Sequence, residues 1–184
     1  MAIAPDSIDV PKLRPVRRWA GLAAMAGVVV TALLVAHYTL GATIAVTTTN
    51  DTVDGNTSSI ANLIATPGAD GVISLREAIT ASNNTAGGPH TINFNISGCG
   101  GVCTITPTSA LPTITRAVTI DGWSQPGWTS APLIELNGTS AGGGSHGLYL
   151  NTSGNTIRGL AINRFGQNGI YIHTNANNNT VQGN

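Results

Sequence analysis

The chain has 184 residues, room for one domain and a targeting segment, and its 8 Lys+Arg balance 8 Asp+Glu. Beyond residue 45 the only basic side chains are Arg76, Arg116, Arg158 and Arg164, against Asp51, Asp54, Asp70, Glu77, Asp121 and Glu135, with no lysine. No basic face could follow a phosphate backbone, so nucleic acid is excluded as a partner.

Residues 1–45 read as an export segment. Arg17 and Arg18 end a basic stretch, and the charge-free run WAGLAAMAGVVVTALLVA follows over residues 19–36, leading through HYTLGATIA to the small Ala45. Basic, apolar, small is the order of a secretory signal. The run also approaches the roughly 20 residues that cross a bilayer, which makes an uncleaved N-terminal anchor the alternative and a buried core helix a third. Signal and anchor both leave residue 46 onward outside the cytoplasm, secreted or in the cell envelope.

Residues 46–90 read as an N-terminal cap. In NDTVDGN, the oxygen-bearing Asp51, Asp54 and Asn56 suit a hard cation such as calcium, and a plain polar turn is the alternative. SLREAITASN then predicts a helix over 74–83. Ser74 stands three residues before Glu77, the spacing of a reciprocal capping box, and Leu75, Ala78 and Ile79 share one face.

From residue 91 to 184 short apolar runs alternate with Gly/Asn corners. TINFNI, VCTIT, RAVTIDG and PLIELNG predict strands. Between the first two, Cys99 and Cys103 flank a Gly-Gly turn in SGCGGVC. Exported thiols so placed predict a local disulfide; free thiols and an incomplete metal-ligand set are the alternatives. DGWSQPGWTSAP is a loop whose Trp123 and Trp128 either fold over a neighbouring strand or stack on sugar rings. NTIRG at 155–159 returns as NTVQG at 179–183, a spacing of 24, and GLYL at 147–150 returns as GIYI at 169–172, a spacing of 22. A period in this range marks stacked repeats. Each unit holds about three strands, the length of one rung of a parallel β-helix, and the repeat places Asn155 on Asn179 as a corner stack. The fold expected is therefore all-β: a right-handed parallel β-helix, or solenoid, with a short N-terminal capping helix, preceded by the hydrophobic export or anchor helix.

The series ADGVISLREAI, TINFNI, RAVTIDGWSQPG and PLIELNG, over about residues 46–184, resembles exported bacterial proteins in which a CSLREA-type motif precedes a right-handed β-helix of the pectate-lyase-like superfamily. The resemblance implies an exported, adhesin-like surface protein and names no activity. Ile73 stands where the family's motif often begins with Cys, leaving Cys99 and Cys103 as the available pair.

Enzymes of that fold direct the search for chemistry. A lyase needs clustered carboxylates for calcium and an arginine or lysine as base; a hydrolase needs two facing carboxylates. Asp121, Glu135, Arg116, Arg158 and Arg164 fall on different units without a doubled acid, and His146 and His173 read as strand-edge polar residues. The expected role is binding, adhesive or structural, towards polysaccharide or another cell surface, with no cofactor beyond the calcium considered above. The N-terminal segment would contact the membrane if uncleaved. A polysaccharide lyase or glycoside hydrolase is the alternative. The last unit stops after NTVQGN with no polar cap, so a truncated frame or a capping partner in trans is expected.

Overall fold

The computed structural model describes residues 40–184. Strand formation there follows the two-residue alternation of apolar and polar side chains, one set turned inward and the other outward. Five strands line up as β1 (Thr43–Val46), β2 (His90–Phe94), β4 (Val118–Asp121), β7 (Thr156–Arg158) and β10 (Thr180–Gln182). A second sheet holds β3 (Cys103–Ile105), β5 (Ile134–Asn137) and β8 (Leu160–Asn163), and a third pairs β6 (Leu148–Leu150) with β9 (Ile170–Ile172). All of these pairings are parallel.

Register places like on like. Ile44, Ile92, Ile120, Ile157 and Val181 are successive partners across the first sheet, and the four isoleucines are buried. Burying each such side chain contributes about 1.5–3 kcal/mol. On the opposite face the same register gives a row of threonines: Thr43, Thr91, Thr119, Thr156 and Thr180. β-branched hydroxyl residues suit a pleated, half-exposed surface. In the second sheet Cys103, Ile134 and Leu160 form one inward row, and Ile105, Leu136 and Ile162 the next. Both echoes in the sequence become strand pairs: β7 with β10, and β6 with β9, Tyr149 opposite Tyr171.

Two helices precede β2. In α1 (Ile60–Ala65) the Ser59 side chain accepts from the Asn62 N–H, and Ile60 and Leu63 are buried. In α2 (Leu75–Asn84) Leu75, Ala78, Ile79 and Ala81 turn inward, and the helix packs on β1 and β2. His90, wholly buried at the start of β2, accepts from the Ala42 N–H at Nδ1 and has Nε2 3.1 Å from the Thr85 carbonyl.

The expected fold class is corrected on this evidence of the backbone. The all-β solenoid gives way to three separate parallel sheets accompanied by two α-helices among the described residues. The physical reason is that a constant repeat length fixes which residues pair between units, while it carries no information on how successive sheets are joined. The segment before β2 lies outside the repeat: its capping box starts the helix expected over 74–83, and the Ser59 cap starts a second helix, α1, that was not expected. No helix among the described residues is long and apolar enough to cross a membrane. The export or anchor helix was placed in residues that lie outside those described.

Candidate functional site

The SLREA segment builds a polar knot around one buried carboxylate. Glu77 Oε1 accepts from the backbone N–H groups of Asp54 (3.0 Å) and Gly55 (2.8 Å), and Oε2 accepts from the Ser74 N–H (2.9 Å). Ser74 Oγ accepts from the Glu77 N–H and lies 2.7 Å from the Thr52 carbonyl, to which it donates. The box therefore caps α2 and also anchors the preceding loop, because each donor would otherwise be left without a partner.

Arg76, between them, turns the other way. Its guanidinium donates to both oxygens of Asp51 (2.9 and 2.8 Å) and to the carbonyls of Ser109 and Ala110. Asp51 also accepts from Thr108 through N–H and Oγ1. Burial pushes the Asp51 carboxyl up, but the Arg76 and Thr108 donors outweigh it and hold it below the usual carboxylate range. Since the folded-state value is the lower one, this contribution is complete above the unfolded value of about 3.9 and is lost as pH falls through the folded value. Melting temperatures measured over a pH series should therefore fall on acidification below about pH 4, and Asp51→Asn should be less stable at neutral pH and lose less in acid.

The other two residues of the candidate calcium loop are also engaged. Asp54 accepts from the Ala69 and Asp70 N–H groups, and Asn56 Oδ1 accepts from Ser58. The three side chains accept from different donors. Among the described residues no group of three or more His, Cys, Asp or Glu side chains gathers to hold a metal ion.

The tryptophan loop leaves β4 through a single 3-10 turn, Gly122–Ser124, with Asp121 accepting from the Trp123 N–H. Trp123 and Trp128 lie 5.4 Å apart at 36° and are both half-buried. Arg158 sits over the Trp123 ring at 4.7 Å while donating to both oxygens of Asp121. That pairing raises the guanidinium above its ordinary value. Gly159, with φ +71°, lets the next turn pass against the ring edge. The same loop clamps β2: Ser124 Oγ accepts from the Phe94 N–H, and the buried Gln125 amide both accepts from and donates to the Ile96 backbone. The tryptophans are thus placed as a packed corner.

Asn155 is buried and accepts from the Val118 N–H, while Asn179 Oδ1 accepts from both the backbone and the side-chain nitrogen of Asn155. Cys99 and Cys103 are joined in a disulfide. That loop borders an open cavity of about 460 Å³ whose walls include Thr47, Thr48, Thr49 and Thr104.

The residues considered for catalysis are spread out. Hydrogen bonds from Asn163 and Thr104, with Arg164 alongside, hold the Glu135 carboxyl below its usual range. Asp121 holds Arg158, and Arg116 donates to the Asn83 carbonyl. Each of these two acids carries its own arginine, and they lie in different sheets.

Sequence reasoning missed what surrounds His146 and His173. His146 stacks on Tyr171 (4.6 Å, 16°), Tyr171 meets Tyr149 edge-on (4.9 Å, 84°), and Tyr149 lies near-parallel to His173 (6.3 Å, 27°). All four are half-buried on the outward side of β6 and β9. The signal was present in GLYL and GIYI, where the repeated tyrosine alternates with aliphatic neighbours at the same position of two successive units. No family model matches the chain, and no curated protein or solved structure matches it either.

Proposed function

We propose that this is an exported surface protein that binds polysaccharide, at a cell surface or in its surroundings, without cutting it. The observation that carries this reading is the outward row His146, Tyr171, Tyr149, His173. Aromatic rings with polar edges, held rigidly on strands, contact the C–H faces of sugar rings while their edges supply hydrogen bonds. Rigid placement by parallel register reduces the ordering cost of binding. Export is supported by the basic-apolar-small order of residues 1–45 and by the Cys99–Cys103 disulfide, a bond that persists in oxidising compartments.

Adhesion and a structural role follow from the same chemistry, since a bound glycan on another surface is a tether. The rival reading, a lyase or hydrolase, is tested directly. The full-length chain is incubated with neutral and acidic polysaccharides, and new reducing ends and unsaturated sugar products are measured. The binding reading expects neither to accumulate above buffer; sustained release from any of them replaces it with the enzymatic one. Fractionation of the producing cells tests export, with residues 46 onward expected to be accessible to protease added outside the cytoplasm.

A further inference from the structure

Resting on that reading, the geometry points to a specific ligand class: we infer that the ring row and the cavity at its end form one subsite for an uncharged glycan. A cavity of about 300 Å³ opens beside the row, and His146 and Tyr149 belong to both. Its remaining walls come from Leu111, Thr113, Gly144 and Ser145, with Ala110 at the edge. Among the described residues no carboxylate, lysine or arginine lines it. Specific sites for anionic sugars place cations against the charge, since a carboxylate stripped of water without a partner is strongly disfavoured. A lining of hydroxyl, aromatic and aliphatic groups suits a ligand with hydroxyls on its edges and C–H groups on its faces.

The two imidazoles supply direction. His146 Nδ1 accepts from the Asn168 N–H at 3.3 Å, and His173 Nδ1 accepts from the Asn175 N–H at 3.5 Å. With Nδ1 accepting, the neutral tautomer carries its proton on Nε2, so each imidazole has an N–H donor to offer. The cavity volume is at the lower limit for ligand pockets, about 300 Å³. One sugar residue fits there, and the residues that follow run along Tyr149 and Tyr171, whose rings stand edge-on to one another at 84°. Parallel register fixes the platform, because Tyr149 and Tyr171 are direct partners of β6 and β9.

The test measures binding of the full-length chain to soluble dextran, galactomannan and xyloglucan, and to polygalacturonate, by affinity electrophoresis and calorimetry. Variants Tyr171→Ala, Tyr149→Ala and Tyr171→Phe are compared with wild type, and circular dichroism checks each fold. The expected result is binding to at least one neutral polymer, weakened about tenfold by either alanine variant and kept within about threefold by Tyr171→Phe. Equal binding by wild type and both alanine variants overturns this subsite and leaves polysaccharide binding standing. Binding to polygalacturonate alone overturns the uncharged class. Failure to bind any polymer overturns both the subsite and the functional reading. A wild-type dimer that Tyr171→Ala converts to monomer assigns the row to a second copy of the chain and overturns the proposal as well.

Discussion

Glu77→Ala is expected to lower the stability of the folded chain by on the order of 4 kcal/mol, read from urea denaturation followed by circular dichroism. The side chain is 1% exposed, and its two oxygens accept from three backbone N–H groups, of Asp54, Gly55 and Ser74. Alanine leaves all three donors without this acceptor, that of Ser74 on a buried residue, and it removes one side of the capping box that starts α2. Glu77→Gln is expected to lose roughly half as much, because its remaining oxygen still serves Asp54 and Gly55 while the amide nitrogen opposes the Ser74 N–H. The loop and helix should fail together in the alanine variant, since one carboxylate ties Asp54 and Gly55 to Ser74. Arg164→Ala, an exposed change on the second sheet, should remain within about 0.5 kcal/mol and serves as the control. A loss below about 1 kcal/mol for Glu77→Ala would mean that water satisfies these donors in the variant.

Gly159→Val is the second large effect, expected to cost about 3 kcal/mol. At φ +71° an L side chain adopts an unfavourable conformation, and a β-branched one most of all. Space is also lacking, because a Cβ would run into the Trp123 ring and its backbone nitrogen. Relief requires the ring to swing, which would separate it from Arg158 and disturb the Ser124 and Gln125 clamp on β2. Tryptophan fluorescence should therefore change along with the denaturation midpoint. Gly143→Ala, where φ is not positive and a Cβ meets nothing within 4 Å, should be close to neutral and serves as the control.

What the sequence made legible was what is local or periodic. Ser74 and Glu77 are three residues apart, so their reciprocal bonds could be anticipated from spacing. The placement of Asn155 beneath Asn179 followed from the repeat length of 24. Contacts between distant segments left no such trace. Ser124 and Gln125 reach Phe94 and Ile96 across 30 and 29 residues, and Arg76 reaches Asp51 across 25. α1 is only six residues long, so its Ser59 cap and buried Ile60 and Leu63 were too little pattern to separate from a loop. The solenoid expectation failed for a related reason. Equal spacing predicts pairing between units; it does not say how the three sheets are joined, and α1 adds a helix to the one expected over 74–83.

The candidate site was legible only in part. Trp123 and Trp128 drew attention as large aromatics in a loop, but Arg158 and Gly159 pack against the first of them. Tyr149 and Tyr171 looked like ordinary strand residues until the register set them side by side with a histidine at each end. A row of that kind comes from several units at once, and no single unit displays it.

Retention of the full-length chain on a panel of insoluble neutral polysaccharides tests the central claim most directly. At least one polymer should retain the chain, and soluble fragments of the same polymer should release it. Passage through every column at the same volume as an inert protein of similar size would contradict it.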